Sequence, residues 1–593
     1  MKQFFKFTIA SFLGIFLFSI VSFFLTLGII VAISSDDGEV DVPKNSILKL
    51  NLNGNFVENA SLERNPFDGL NIGLLEGNSQ LGLIQLIQTI DKAAKDDRIQ
   101  GIYMEAASPI ASYAQLFELR EALERFSDSG KFIYSYAEVY TEKGYFLSSV
   151  SDEVFANPSG IIDFNGIMVR YSYYKKLFDK LGIEPVIYKV GKYKSAVESF
   201  SRSNMSEENR QQSREMIYSI NHQVMKKISE SRGISEVRLN EIADSLLAFQ
   251  PVEAEKLNMV SIAYKSEVDS LLKEEMGIDQ EDDLEFISFR KYAKVNLKDE
   301  SYEGSDRIGV LVADGEILGA KSMDGYIGFQ DFNKELKELV DNKRIKAIVI
   351  RINSPGGSSL ATDIMWKAIK DAKKKKPIIV SMSGYAASGG YYMAVGADKI
   401  VASPTTITGS IGIFSQWIDI SKFMEDKLGI TYDQVMTNQN SDFLQNLSKL
   451  SDYQSKVMLK NIQAGYDDFI SKVADGRKMT KEEILELASG RVWTGEMAKK
   501  VGLVDELGGL DKAIEIAALD AKLEKNQYKV LIYPKAKSAV EELLDSSQED
   551  VSSKLIQGLG SEFYPYSKAL LEIKKIQKRN GLMCVLPYGI EIE

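Results

Sequence analysis

Ser388 lies in Ser381-Met382-Ser383-Gly384-Tyr385-Ala386-Ala387-Ser388-Gly389-Gly390, where a β-type run gives way to small residues and then to a helical pattern. A hydroxyl at a helix start without bulky neighbours lets a substrate backbone approach, and the local dipole favours a developing anion. Ser388 is therefore a candidate nucleophile, although Ala-Ala-Ser-Gly-Gly also suits plain strand-to-helix packing. Upstream, Asn353-Ser354-Pro355-Gly356-Gly357 puts paired glycines at the end of another apolar run. Glycine allows main-chain N–H groups to point into a cleft, which an oxyanion hole requires. Pro-Gly-Gly alone is a common turn, so the pair gains meaning only beside Ser388.

A nucleophilic serine needs a proton acceptor. The chain has one histidine, His222, and one cysteine, Cys584, which leaves no supply for a Cys-rich zinc site or an internal disulfide. His222 falls within an expected amphipathic helix from Ser206 to Glu230, among Met216, Ile217, Ile220 and Val224, and reads as a helix-surface or packing residue. The remaining choice is a lysine kept neutral. That requires a shift from about 10.4 to roughly 7–8, hence burial. Val186-Ile187-Tyr188-Lys189-Val190-Gly191-Lys192-Tyr193-Lys194-Ser195-Ala196 sets basic residues at the end of an apolar strand. Residue types alone do not choose among Lys189, Lys192 and Lys194, and a solvated loop is the plainer reading.

These residues must be positioned by a large framework. At 593 residues the chain needs several cores or a repeated unit. Its 44% hydrophobic and 26% charged residues exclude both disorder and a many-spanning transporter. A net charge of −12 without a long basic run argues against nucleic acid. Self-comparison reveals a domain duplication at an offset of about 246 residues: Arg98–Ile102 matches Arg344–Ile348, Gly144-Tyr145 matches Gly390-Tyr391, and Gly166-Ile167 matches Gly412-Ile413. The first copy carries an extra Gly/Asn-rich loop near Asn65–Gly82. Ile345–Ile350 and Pro377–Ser381 read as buried parallel strands, and Asp363–Lys374 and Ile418–Lys427 as helices, giving an α/β class.

The copies have diverged in complementary ways. Opposite Ser388 the first copy has Glu142, and opposite Gly356-Gly357 it has Ile110-Ala111. Opposite Lys194 the second copy has Ser441, or Asn440 without a one-residue slip. Side-by-side packing of the copies would thus assemble one site from two halves.

From Phe7 to Ser35 no residue is charged, and the stretch to Ile33 would reach roughly 40 Å as a helix. A secretory signal's apolar region is only about 7–15 residues, so an uncleaved anchor is expected. Lys2 and Lys6 before it, with Asp36, Asp37 and Glu39 after it, leave the short end in the cytoplasm. The acidic stretch around Asp545–Ser553 reads as a loosely held tail, followed by a helix near Tyr566–Lys578, and GLMCVLPYGIEIE fits no motif.

The segments YKSAVE at Tyr193–Glu198, NSPGG at Asn353–Gly357, AASGGYY at Ala386–Tyr392, TGSIGIF at Thr408–Phe414 and VWTGEMAKKVGLVDELGG at Val492–Gly509 resemble the signal peptide peptidase A family. The likeness is to its long, tandem-repeat, membrane-anchored bacterial form, within the Clp-protease/crotonase superfamily. It implies two tandem Clp-protease/crotonase-like domains of superhelical α/β repeats after an N-terminal transmembrane helix. It also implies Ser388 as nucleophile, Lys194 as general base, Gly356 and Gly357 as oxyanion support, and Ser410 as a hydroxyl near the lysine. No metal or cofactor is expected. Apolar peptides such as spent signal peptides are the expected substrates, a homotetramer the expected assembly, and the periplasmic side of the inner membrane the expected location. The expected divisions are a stub and anchor over 1–40, a first repeat with the lysine over 41–300, a second repeat with the serine over 301–535, and a tail over 536–593. Ser199 departs from the family's usual proline after the glutamate of the lysine motif, which touches loop shape rather than the lysine. The alternatives are a non-catalytic protease-like scaffold and a crotonase-type acyl-CoA enzyme.

Overall fold

The structure is a computed structural model, and it describes residues 3, 6–7, 10–22, 40–62, 80–295, 304–323, 325–444, 449–524, 527–536, 582–586 and 591–592. Residues 10–22 are helical and exposed. Residues 8–9 and 23–33 of the Phe7–Ile33 run lie outside the described residues, and among those described no helix is long and apolar enough to cross a membrane. The Asp545–Ser553 tail, the Tyr566–Lys578 helix and most of the Asn65–Gly82 loop also lie outside them.

Each copy is built on a mainly parallel sheet. In the first copy the strand order is Phe286–Ser288, Ser46–Asn51, Ile99–Glu105, Phe132–Tyr140, Glu153–Ile162 and Ser261–Ile262, every pairing parallel. The second copy repeats the plan with Lys529–Tyr533, Arg307–Asp314, Ile345–Ser354, Ile378–Ala387 and Ile407–Gly409, closed by an antiparallel strand, Val492–Thr494. Strands covered on both faces are apolar throughout rather than alternating. Ile345–Ser354 accordingly buries every residue except Lys346 and Asn353 to near completion.

Local boundaries follow tertiary pairing. The strand expected over Pro377–Ser381 runs from Ile378 to Ala387, because Tyr385, Ala386 and Ala387 continue the ladder against Ile407–Gly409. The helix expected over Ile418–Lys427 spans Ser421–Leu428 instead. Ile418 and Asp419 end a strand, Phe414–Asp419, whose pairing with Glu184–Lys189 overrides local helical preference. The Ser206–Glu230 helix is observed as Glu207–Arg232, with the Ser206 side chain accepting from the Asn209 N–H. His222 is exposed on it, 3.1 Å from Glu236.

The copies are locked together. The Arg351 guanidinium of the second copy lies 2.7 Å from Glu58 and 2.8 Å from Glu118 of the first, with all three groups buried. Arg351 Nη1 also donates to Ser381 Oγ, Gln115 donates to Glu58, and the Leu510 N–H donates to Glu118. Burial pushes Glu118 up to about 7 against the pull of Arg351. Breaking such a pair from one side is worth about 3–5 kcal/mol. Apolar packing crosses the same boundary: Ala387, Ile407 and Val492 join the first copy's core.

Candidate active site

A smaller third sheet brings the two halves together. Its order is Tyr326–Ile327, Glu316–Ile317, Gly356–Ser358, Leu582–Val585, Phe414–Asp419 and Glu184–Lys189. Glu184–Lys189 comes from the first copy and runs antiparallel to Phe414–Asp419, with Lys189 opposite Phe414 and Glu184 opposite Asp419. The Val190 N–H donates to Ile413 O, and the chain then turns inward at Gly191. This register carries Lys194, five residues past the strand, into the second copy.

Of the three lysines, Lys189 and Lys192 are exposed and Lys194 is wholly buried. Lys194 Nζ lies 2.7 Å from Ser388 Oγ, 3.0 Å from Ser410 Oγ and 3.2 Å from Ser410 O. Ser388 and Ser410 are also 0% exposed, so the three groups form a closed polar pocket. Burial lowers the Lys194 amine to about 7, with the nearby Cys584 thiol acting weakly in the opposite direction. The wall behind the lysine is the Ser489-Gly490-Arg491 turn. A Cβ on Gly490, at φ +79°, would stand 2.7 Å from both Lys194 N and Cβ.

Ser388 sits between the Ile378–Ala387 strand and the Gly389–Ala394 helix at φ 55°, ψ −110°. A non-glycine residue there is strained by about 1–3 kcal/mol and persists only where neighbours hold it. The Ser388 N–H donates to Gly409 O at 2.7 Å, and Ser388 O accepts from the Tyr392 N–H at 2.8 Å. Ser410 is likewise at φ 51°; its N–H donates to Arg491 O and its hydroxyl to Gly490 O.

The glycine pair forms the facing strand, Gly356–Ser358. The Gly356 N–H donates to Ser354 Oγ at 3.2 Å, so the amide of the pair turned toward the groove is that of Gly357. A Cβ on Gly356, at φ +105°, would lie 2.0 Å from Cys584 O and 2.7 Å from Gly389 N. The Gly389 amide, directly after Ser388, thus converges on the same point. Its place after the nucleophile at a helix start was the signal available in the sequence. Ser199 is buried in a short helix, Glu198–Ser201, and Glu198 accepts from Ser206 N and Oγ, which ties that helix to the next.

Nothing in the sequence pointed to the third participant. The Leu582–Val585 strand runs antiparallel between Gly356–Ser358 and Phe414-Ser415, opposite the glycine pair and across from Ser388. Among the described residues, no group of three or more His, Cys, Asp or Glu side chains is arranged to hold a metal ion.

A serine hydroxyl against a buried amine, with backbone amides converging beside it in an α/β frame, is the apparatus of a serine endopeptidase, and the relatives of the chain agree. Peptidase family S49 matches residues 125–278 and 370–524, and Clp protease matches residues 305–408. The chain is 34% identical over 465 residues to Serine protease SPPA, chloroplastic, of Arabidopsis thaliana, spanning 77% of this chain and 68% of that protein. It is 32% identical over 563 residues to Protease 4 of Salmonella typhi, spanning 92% and 89%. Protease 4 of Haemophilus influenzae is 31% identical over 521 residues, spanning 84% and 83%. The chain belongs to peptidase family S49, with the S49 unit duplicated in tandem.

Proposed function

We propose that this serine endopeptidase works through a Ser388–Lys194 dyad and degrades spent signal peptides and other apolar peptides. The observation that carries the reading is the 2.7 Å separation of Lys194 Nζ and Ser388 Oγ inside a wholly buried pocket. A neutral lysine has two N–H donors and one lone pair. Ser410 O and Oγ take the two donors, and the lone pair is left for the Ser388 proton.

In this mechanism Lys194 accepts the proton as Ser388 Oγ attacks the peptide carbonyl. The Gly357 and Gly389 amides stabilise the oxyanion, and Lys194 returns the proton to the departing amine. Water activated by Lys194 then releases the acyl group. Ser410 holds the amine in line, and burial favours its neutral form.

The uncharged run from Phe7 to Ile33 supports a membrane anchor, and the charges flanking it support catalytic repeats on the periplasmic face of the inner membrane. A homotetramer belongs to the same proposal. Ser388→Ala and Lys194→Ala are each expected to abolish cleavage of an apolar peptide, by at least about a thousandfold, while leaving the oligomeric state unchanged. Turnover persisting in either variant contradicts the dyad.

A further inference from the structure

Lys194 stands outside the regular elements: at φ −72° and ψ 80° it links the turn at Gly191 to a single 3₁₀ turn, Ser195–Val197. Its amine, on a flexible four-carbon stem, reaches Ser388 and Ser410 of the second copy. The loop itself must therefore be held from outside if the amine is to stay in line. One buried side chain does this. Gln212, on the Glu207–Arg232 helix and 3% exposed, sets its Nε2 3.2 Å from Tyr193 O, 3.0 Å from Ser195 Oγ and 3.0 Å from Asn209 Oδ1. Its Oε1 accepts from the Val492 N–H at 3.2 Å. Acceptors on one side and an N–H on the other admit one orientation of the amide.

The two loop residues it grips flank Lys194. Val492, in turn, pairs with Gly409, whose carbonyl accepts from the Ser388 N–H, while the Ser410 N–H donates to Arg491 O. A single amide thus spans from the loop that carries the base to the strand that backs the nucleophile. The charged groups nearby lie off this line: Glu215 pairs with Arg491, and Glu198 accepts from Ser206. Cys584 is the titratable group beside Lys194. A neutral amide in this place holds the loop without favouring the charged form of the amine.

The second copy supplies the contrast. Its helix Asp452–Arg477 has the same 26 residues and a serine at the same capping position, Ser451 for Ser206. Six residues past the capping serine the first copy has Gln212 and the second has Val457, which is 40% exposed. The copy that sends a lysine into the site has a buried amide here, and the copy that sends none has a valine facing solvent. Packing of such a helix does not require the amide.

We infer that Gln212 is a positioning residue for the general base, holding the Tyr193–Ser195 loop so that Lys194 meets Ser388 and Ser410 in line. The inference rests on the Ser388–Lys194 reading above. Gln212 acts through Lys194, and without its hydrogen bonds the loop drifts; a misplacement of about 1 Å can cost about a hundredfold in rate.

The test is a double-mutant cycle read by active-site labelling. A serine-reactive phosphonate is applied at about pH 8, above the amine's midpoint of about 7, to the full chain as wild type, Gln212→Met, Lys194→Met and the double variant. Both the fraction of chains labelled and the rate constant per labelled site are recorded. Gln212→Met keeps the length of the side chain and loses its hydrogen bonds. It is expected to reach the wild-type fraction at a rate about tenfold or more lower, and to cut kcat on an apolar reporter peptide by a similar factor with KM within about twofold. In the Lys194→Met background the same change is expected to be silent, within about twofold. A lowered fraction with the rate per site unchanged marks a role confined to folding and overturns the inference, as does a tenfold loss that persists without Lys194; both leave the dyad standing. Should Gln212→Met not fold, Ser195→Ala removes one of the gripped atoms and leaves the amide in place. A fall of about threefold or more in its rate per site, again silent without Lys194, is expected, and an unchanged rate overturns the inference. Labelling undiminished in Lys194→Met overturns the dyad and the inference together.

Discussion

The two copies share a sheet plan but treat the same strand-to-helix junction in opposite ways. In the first copy Thr141 caps the Glu142–Ser148 helix conventionally, at φ −76° and ψ 166°, accepting from the Gly144 N–H. Glu142 begins that helix, and its buried carboxylate accepts from the Asn165 and Gly166 amides at 2.9 and 3.1 Å. In the second copy the residue at this point, Ser388, takes the strained φ of 55°, and the turn corresponding to Asn165-Gly166 abuts Lys194: a Cβ on Gly412 would lie 3.3 Å from Lys194 Cδ. One junction is relaxed and self-satisfied; the other holds a reactive hydroxyl and takes its polar partner from the opposite copy. The facing strands differ likewise. Ile110 projects into solvent, 63% exposed, with its backbone paired to Gly54 and Phe56, whereas Gly356 leaves its side-chain volume to an incoming carbonyl. After duplication, each copy could keep half of a site because the other half came from its neighbour.

Two substitutions break or sharpen this contrast. Gly356→Ala gives the second copy a side chain where the first copy already has one. Its Cβ would meet the Gly389 and Ala387 backbones as well as the bound strand, so displacing that strand does not relieve it. A fall of about a hundredfold or more in kcat is expected, typical of losing an oxyanion donor; unchanged kcat would remove the glycine pair from the account. Glu142→Ser gives the first copy the second copy's residue. It leaves two amides without their acceptor, so urea unfolding is expected to show a loss of about 1–3 kcal/mol. Turnover should stay within about twofold, since a serine there faces no buried lysine; a marked change would mean that the first copy's junction also takes part in the chemistry.

The strands around Ser388, the duplication and the candidate Ser388, Gly356 and Gly357 positions were legible because β-branched runs, paired glycines and a repeated register leave local marks, whereas Ser410 came only from the family resemblance. The choice among Lys189, Lys192 and Lys194 was not, because it is a matter of burial: Lys194 differs from its neighbours only in crossing beneath the Ser489–Arg491 turn. Arg351, Glu58 and Glu118 were missed for a similar reason, being 60 to 293 residues apart and joined only by packing of the copies. Ile418 and Asp419 read as helix because their strand partner, Val186 with Pro185, lies in the other copy. The stretch containing Leu582–Val585 carried no motif, since a strand held through its backbone needs none.

The central claim is that a neutral Lys194 takes the proton of Ser388. It is tested most directly by the rate at which a serine-reactive phosphonate labels Ser388 as a function of pH, in the wild type and in Lys194→Met. The amine is lowered to about 7, and only its unprotonated form accepts a proton, so labelling should rise with pH through a midpoint near 7 and level off above it. In Lys194→Met the rise should vanish and the plateau rate fall at least about a hundredfold. A flat profile in the wild type, or undiminished labelling without the lysine, would contradict the account.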